Sequence, residues 1–171
     1  MMNIYLGCEI RLMKQFIDQN VKVLIFRVGQ EEYGVQISQV VSIEQLQEIN
    51  SYPNRQAHVL GVTTVRDVVI PVVDMRSALS AESLIPSDSG RMIIVKVSNG
   101  QEIGIVVDAA TDVTDLPRET IQQPSLLAEQ DISYLTGVSK IGDRLIILLD
   151  IEKLLENTTN LDELKEIIHS L

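Results

Sequence analysis

Short apolar runs separated by turn residues recur along the chain and predict a protein built mostly of β-strands. Residues 21–28 are rich in β-branched side chains, a polar turn follows, and the apolar pattern returns at residues 33–37. This order is typical of a β-hairpin. A second hairpin is predicted within residues 61–74, with its turn at Arg66 and Asp67, because two strand-like blocks flank these charged residues.

The second hairpin occurs twice in the chain. Residues 61–79 match residues 137–155 at a constant offset of 76 positions, and the matched pairs include one pair of glycines and two pairs of aspartates. These pairs are Gly61 with Gly137, Asp67 with Asp143, Ile70 with Ile146, and Asp74 with Asp150. Self-similarity at a fixed spacing indicates a duplicated structural unit.

The first hairpin has a partner as well. Residues 24–46 match residues 93–116 at an offset of 69 and then 70 positions. We therefore interpret residues 24–79 and 93–155 as two copies of one unit. Two equivalent sets of short strands predict two small antiparallel β-barrels, since closing a sheet removes its exposed edges.

The segments outside the two copies receive separate predictions. Residues 1–20 are expected to form a leader without regular structure, within which Met13 is an alternative translation start. Residues 157–171 are predicted to form an amphipathic helix, because leucine and isoleucine residues recur there at helical spacing. We expect Asp74 and Asp150 to cap the short helices that follow them.

Composition excludes several classes of function. A net charge of −10 and an aromatic content of 4% without tryptophan argue against nucleic-acid binding, which needs cations and stacking surfaces. The single cysteine, Cys8, rules out a disulfide framework and a cysteine-based zinc site, and it favours a reducing compartment such as the cytoplasm. No apolar stretch reaches the ~20 residues that a membrane-spanning helix requires.

Candidate catalytic and metal-binding residues form no recognisable motif. His58 and His169 lack the ligand spacing of a metal site, and no phosphate-binding loop, dinucleotide fingerprint or nucleophile elbow is present. Asp74, Asp108 and Asp150 each end an apolar strand, but the first and last are repeat partners, so capping explains them better than acid–base catalysis. The sequence favours a binding module with no enzymatic activity and no cofactor.

Arg66 breaks the symmetry between the two copies, because its repeat partner is Gly142. A solvated turn residue is one explanation of this arginine. A contact with a binding partner is the other.

Several stretches together resemble the CheW family, the coupling proteins of bacterial chemotaxis, over residues 21–156. They are EEYGVQISQV at residues 31–40, VIPVVDMR at 69–76, GIVVD at 104–108, YLTGV at 134–138 and GDRLIILLDIEKLL at 142–155. The resemblance implies two SH3-like five-stranded β-barrels. It also implies a non-catalytic cytoplasmic scaffold, associated with membrane receptor arrays, that links the cytoplasmic tips of methyl-accepting chemoreceptors to the regulatory domain of the histidine kinase CheA.

In this family the receptor helix binds in the groove between the two barrels. The residues that match the groove positions are Val40, Ile43, Gly61, Arg66, Val113 and Gly137. The alternative is that all of these except Arg66 belong to the core. Two positions depart from the family pattern, since Asp67 replaces a turn glycine and Ser42 replaces an acidic residue.

Two other functions remain open on the sequence. A CheW-like scaffold could serve another kinase pathway, such as surface motility or second-messenger control, and Asp67 is the one hint of this. A small-molecule sensor or an enzyme could instead use the groove between the barrels.

Overall fold

The computed structural model describes residues 20–80, 89–122, 134–158 and 168. The leader predicted for residues 1–20 therefore lies outside the described residues except for Asn20. The amphipathic helix predicted for residues 157–171 lies outside them except for its first two residues and Ile168.

The described chain consists mostly of β-strands, which confirms the predicted all-β class. The strands are β1 (Asn20–Val28), β2 (Glu31–Gln36), β3 (Val40–Gln45), β4 (Val59–Val65), β5 (Val68–Asp74), β6 (Arg91–Lys96), β7 (Glu102–Val107), β8 (Ala109–Pro117), β9 (Ile121–Gln122), β10 (Leu135–Ile141) and β11 (Arg144–Leu149). Two short helices, α1 (Met75–Ser80) and α2 (Ile151–Thr158), follow β5 and β11. Two 3-10 turns, Ile37–Gln39 and Arg118–Thr120, precede β3 and β9.

The strands form two sheets that exchange hairpins between the two halves of the chain. Sheet A has the strand order β8-β1-β2-β11-β10-β9, and sheet B has the order β3-β6-β7-β5-β4. Sheet A therefore combines the first hairpin of the first half with strands of the second half. Sheet B combines the first hairpin of the second half with three strands of the first. Each sheet depends on both halves of the chain.

The prediction that each unit would be a wholly antiparallel, closed barrel was wrong in two respects. Strand β11 runs parallel to β2, and β5 runs parallel to β7, because hairpins from different halves meet at these junctions. In addition, no hydrogen-bonded ladder between described strands joins the first strand of either sheet to its last.

Three hydrophobic clusters hold the sheets together. One cluster lies within sheet A and includes Val23 and Ile25, whereas the neighbouring residues Leu24 and Phe26 belong to a second cluster shared by both sheets. The third cluster lies within sheet B. Successive side chains of β1 thus point into two different cores, so this strand is buried on both faces and lacks the alternation of a half-exposed strand.

Candidate functional site

The edge strand β3 presents apolar side chains toward the space between the sheets. Val40 pairs with Val95 on β6 and Ile43 pairs with Ile93, and the register shifts between these pairs at Val41. Paired residues share a face of the sheet. Since Val95 and Ile93 belong to the shared cluster, Val40 and Ile43 lie on the face that sheet B turns toward sheet A.

The edge strand β8 repeats this arrangement in sheet A. Ala110 pairs with Phe26 and Val113 pairs with Leu24, with the register shift at Thr111. Both partners on β1 belong to the shared cluster. The two positions on β8 follow those on β3 by 70 residues, so the duplication has preserved the β-bulge as well as the strand. A bulge changes the direction in which the following side chains point, and here it keeps Ala110 and Val113 on the inter-sheet face.

We call these four residues, Val40, Ile43, Ala110 and Val113, the groove rim. The exposed fractions of Ile43 and Val113 are 43% and 51%, while Val40 is half-buried against the shared core. Three of the predicted contact residues therefore belong to the rim. Ala110 was missed, although the 70-residue offset from Val40 could have identified it.

Arg66 lies at the tip of the β4–β5 hairpin and reaches across to β3. Its Nη2 donates a hydrogen bond to the Ser42 hydroxyl at 2.9 Å, and its Nη1 lies 3.1 Å from the Glu44 carboxylate. Strands β3 and β4 are the two outer strands of sheet B, so these side-chain contacts join its edges where no ladder does. The Arg66 side chain is still 61% exposed and is available to a partner.

The sequence did not predict the residues that anchor Arg66. The sequence predicts Ser42 only as a departure from the family pattern and predicts no role for Glu44. Their side chains alternate with that of the rim residue Ile43 along β3, and they pair with Ile94 and Met92 of the sheet B cluster. Arg66 therefore contacts the same edge strand as Ile43, but on the face opposite Ile43.

Sheet A carries a related contact that uses a different residue. Arg144 forms a bidentate pair with Glu32, at 3.2 Å and 2.6 Å, and its Nη2 lies 3.5 Å from Asp112 on β8. The hydrogen bond from Arg144 lowers the pKa of Glu32. Burial raises the pKa of Asp112, but hydrogen bonds from Thr111, Thr114 and Arg144 together bring it below its usual value. In sheet A, therefore, the cation lies on strand β11 and not in the preceding turn.

Gly61 and Gly137 are buried, and backbone packing accounts for both. A Cβ atom at Gly61 would lie 2.2 Å from the Asn50 carbonyl oxygen, and one at Gly137 would lie 2.6 Å from a methyl group of Ile121. Each glycine lets a neighbouring segment cross close to its strand. The structure thus places these two predicted contact residues beneath the surface, where they support the edge strands.

The aspartates considered as catalytic groups have structural partners. Asp74 Oδ1 accepts the backbone N–H of Arg76 at 3.0 Å, and Asp150 Oδ1 accepts that of Lys153 at 3.2 Å, as helix caps do. Asp108 accepts the backbone N–H of Gly29 and a hydrogen bond from the Arg76 guanidinium. It thereby ties the β1–β2 turn to helix α1.

The described residues also bear on metal binding and on membrane crossing. Within the described segments, no group of three or more His, Cys, Asp or Glu side chains is placed to hold a metal ion. The described helices also include none long and apolar enough to cross a membrane. His58 forms a hydrogen bond through Nδ1 with the Ser77 hydroxyl at 2.8 Å.

The fold and the rim define a duplicated two-sheet β protein with exposed apolar side chains at equivalent places on two edge strands. A family model for the CheW-like domain matches residues 22–159. The chain belongs to the CheW-like domain family.

Individual relatives agree with this assignment. The chain is 36% identical to the chemotaxis protein CheW of Klebsiella aerogenes over 135 residues, covering 78% of this chain and 81% of that protein. It is 29% identical to the chemotaxis protein CheW of Bacillus subtilis over 140 residues, covering 81% and 89% respectively. The crystal structure of the scaffolding protein TtCheW from Thermoanaerobacter tengcongensis superposes with a TM-score of 0.73 at 27% identity, covering 80% of this chain and 93% of that one.

Proposed function

We propose that this protein is a non-catalytic chemotaxis adaptor that couples the cytoplasmic tips of chemoreceptors to the histidine kinase CheA. The assignment to the CheW family supports the adaptor role. The single observation that carries the receptor-binding part is the pair of exposed apolar side chains, Ile43 and Val113. They occupy equivalent places on the two edge strands, on the faces that the sheets turn toward each other.

The rim has the features expected of a surface for an amphipathic helix. Helix-in-groove recognition relies on apolar anchors that lose contact with water on binding. Fully burying a valine or isoleucine side chain contributes about 1.5–3 kcal/mol, so two half-exposed anchors supply a substantial part of a micromolar affinity. Val40 and Ala110 would extend the contact along each strand.

Arg66 adds the polar part of the contact. Its guanidinium is held at the edge strand β3 by Ser42 and Glu44, which limits the side-chain conformations it must lose on binding. A carboxylate or carbonyl oxygen on the receptor tip would add to these partners or replace one of them. Gly61 and Gly137 take part indirectly, since they fix the backbone of the strands next to the groove.

The kinase would bind on a different surface, so that receptor and kinase can be held at once. The regulatory domain of CheA is the expected kinase partner, and no cofactor is required for the complex. The protein would act in the cytoplasm at membrane receptor arrays.

The test is gel filtration of the purified full-length chain with a receptor cytoplasmic fragment and CheA. A coupling adaptor should bring all three proteins into one peak without any added small molecule. Ile43→Ser should weaken the receptor complex at least tenfold, because it removes a central apolar anchor. Leu145→Ser is the matched control, since Leu145 is 50% exposed on β11, which pairs with β2 and β10 and not with the rim strands β3 and β8.

The proposal fails if Ile43→Ser and Leu145→Ser behave alike, or if the kinase and the receptor never share a peak with this chain. A CheW-like scaffold for a different kinase pathway is the second candidate. The observation that favours it is Asp67, an exposed anion that immediately follows Arg66 in the turn. In that case a chemoreceptor fragment should bind poorly to the wild type, and Asp67→Asn should strengthen binding by removing the repulsion of an acidic receptor tip.

A further inference from the structure

One end of sheet A carries a half-open cavity of about 360 Å³ that is lined by both apolar and polar residues. Val23, Gly34 and Leu148 are buried and form its inner wall. Gln36, Thr136 and Arg118 are exposed and line its opening. Pockets for small ligands commonly have this size and this combination of an apolar interior with a few polar groups.

The duplication provides an internal comparison, because the equivalent end of sheet B is filled. In sheet A the cross-strand pair at this position is Val23 with Gln36. In sheet B the equivalent pair is Met92 with Val106, and both of these side chains are fully buried in the cluster of that sheet. The long methionine side chain occupies the space that the shorter valine leaves open.

A second position differs in the same direction. The register of the β10–β11 pair shifts at Thr136, and the register of the β4–β5 pair shifts at Leu60, its repeat partner. Leu60 packs against the sheet B cluster, whereas Thr136 is exposed at the cavity opening. Met92, Val106 and Leu60 of sheet B thus have repeat partners in sheet A that are smaller or polar, whereas Leu148 of sheet A is larger than its repeat partner Val72.

Arg118 gives the opening a positive charge and lies where the second half is longer than the first. Leu116 lies 70 residues after its repeat partner Leu46. Gln122 pairs with Val138 as Asn50 pairs with Val62, yet Gln122 lies 72 residues after Asn50. The second half therefore has two additional residues here, within the turn that carries Arg118. Among the described residues, no carboxylate forms an ion pair with this arginine.

From these differences we infer that the sheet A cavity binds a small amphipathic carboxylate, with its apolar tail against Val23 and Leu148 and its carboxylate at Arg118. An arginine is suited to this role because its guanidinium pairs with carboxylates in a bidentate manner. Gln36 and Thr136 supply further hydrogen-bonding groups at the opening. This site is separate from the groove rim and does not depend on the coupling function.

The inference can be tested by titrating the isotope-labelled full-length protein with sodium octanoate and following amide chemical shifts by NMR. Octanoate should shift the amides of Gly34, Gln36 and Leu148 and should saturate by about 10 mM, within reach of a ligand with about ten heavy atoms. The neutral analogue 1-octanol should bind at least tenfold more weakly, because it cannot pair with Arg118.

Two variants separate the roles of the cavity and the charge. Val23→Met combined with Thr136→Leu introduces residues with the apolar bulk found in sheet B, and it should abolish octanoate binding. Arg118→Gln changes one exposed residue and should reduce octanoate binding to the level of octanol.

Three results would overturn the inference. They are the absence of shifts at the cavity in the wild-type protein, equal binding of octanoate and octanol to it, and octanoate binding that is unchanged in Arg118→Gln. The last variant keeps the test decisive even if the double variant fails to fold.

Discussion

Arg66 and its repeat partner Gly142 occupy the same turn position with nearly the same left-handed backbone, at φ angles of 50° and 59°. Glycine adopts this conformation without a steric penalty, whereas arginine does not. Asp67, the next residue, is also left-handed at 65°. The first half therefore keeps an arginine where the second half has glycine, and its Asp67 is left-handed whereas the repeat partner Asp143 is not. Strain of this kind points to a role for the side chain, since the fold alone is better served by glycine.

This relationship predicts opposite stability changes for two reciprocal substitutions. Arg66→Gly should leave the melting temperature unchanged or raise it by about 2–4 °C. Relief of ~1 kcal/mol of backbone strain outweighs the loss of an exposed ion pair worth about 0.5 kcal/mol or less. Gly142→Arg should lower stability by about 1 kcal/mol, because it introduces the same strain without the partners of Arg66. Thermal and urea unfolding of both variants would measure these changes.

In the same experiments Gly142→Arg should not bind a second receptor fragment, because Arg144 already contacts Asp112, the β8 equivalent of Ser42, and a new arginine would lack the partners of Arg66. A marked loss of stability in Arg66→Gly would show that the arginine is retained for folding and not for binding.

Gly61 provides a prediction about packing. Gly61→Ala should destabilise the protein by more than about 2 kcal/mol, because the new Cβ atom would lie 2.2 Å from the Asn50 carbonyl oxygen and force the backbone apart. Gly100→Ala is a suitable control, since that residue is also left-handed but has no atom within 4 Å of the Cβ position. It should cost about 1 kcal/mol. Equal costs in urea unfolding would mean that the crossing at Asn50 is not tightly packed.

Glu32 provides a prediction about acid stability. Its pKa is lowered in the folded protein by the hydrogen bond from Arg144, so the pair stabilises the fold above the unfolded-state pKa of about 4.5. This contribution is lost as the pH falls through the folded-state pKa. Glu32→Gln should therefore be less stable than the wild type at pH 7, and the difference should shrink as the pH drops below about 4.5. Urea unfolding across this range measures it, and a constant difference would exclude the linkage.

The sequence was sufficient to predict the β-rich fold and the positions that are equivalent in the two halves of the chain. The match of Asp74 with Asp150 led to the prediction of two helix caps, and both hydrogen bonds are present. The exchange of hairpins between sheets could not be predicted, because strand pairing depends on contacts between distant segments. The apolar run of β1 is the same whichever strand lies beside it.

The candidate site was predictable to a similar degree. Ile43 and Val113 could be paired by their offset, and both are exposed on equivalent strands. The contact of Arg66 with Ser42 and Glu44 was not predictable, because it joins the two outer strands of a curled sheet across 22 to 24 residues of chain. The sequence also gave no sign that Gly61 lies beneath the surface, since close backbone crossing leaves no periodic pattern.

The most direct test of the account is isothermal titration calorimetry of wild-type protein and Arg66→Glu with a chemoreceptor cytoplasmic fragment. Charge reversal at an exposed position should leave the melting temperature within a few degrees of the wild type. It should weaken receptor binding at least tenfold, because it replaces attraction with repulsion at the edge strand β3, which carries two of the rim residues. Binding of Arg66→Glu as tight as that of the wild type would contradict the proposal that Arg66 and the groove rim form the receptor-binding surface.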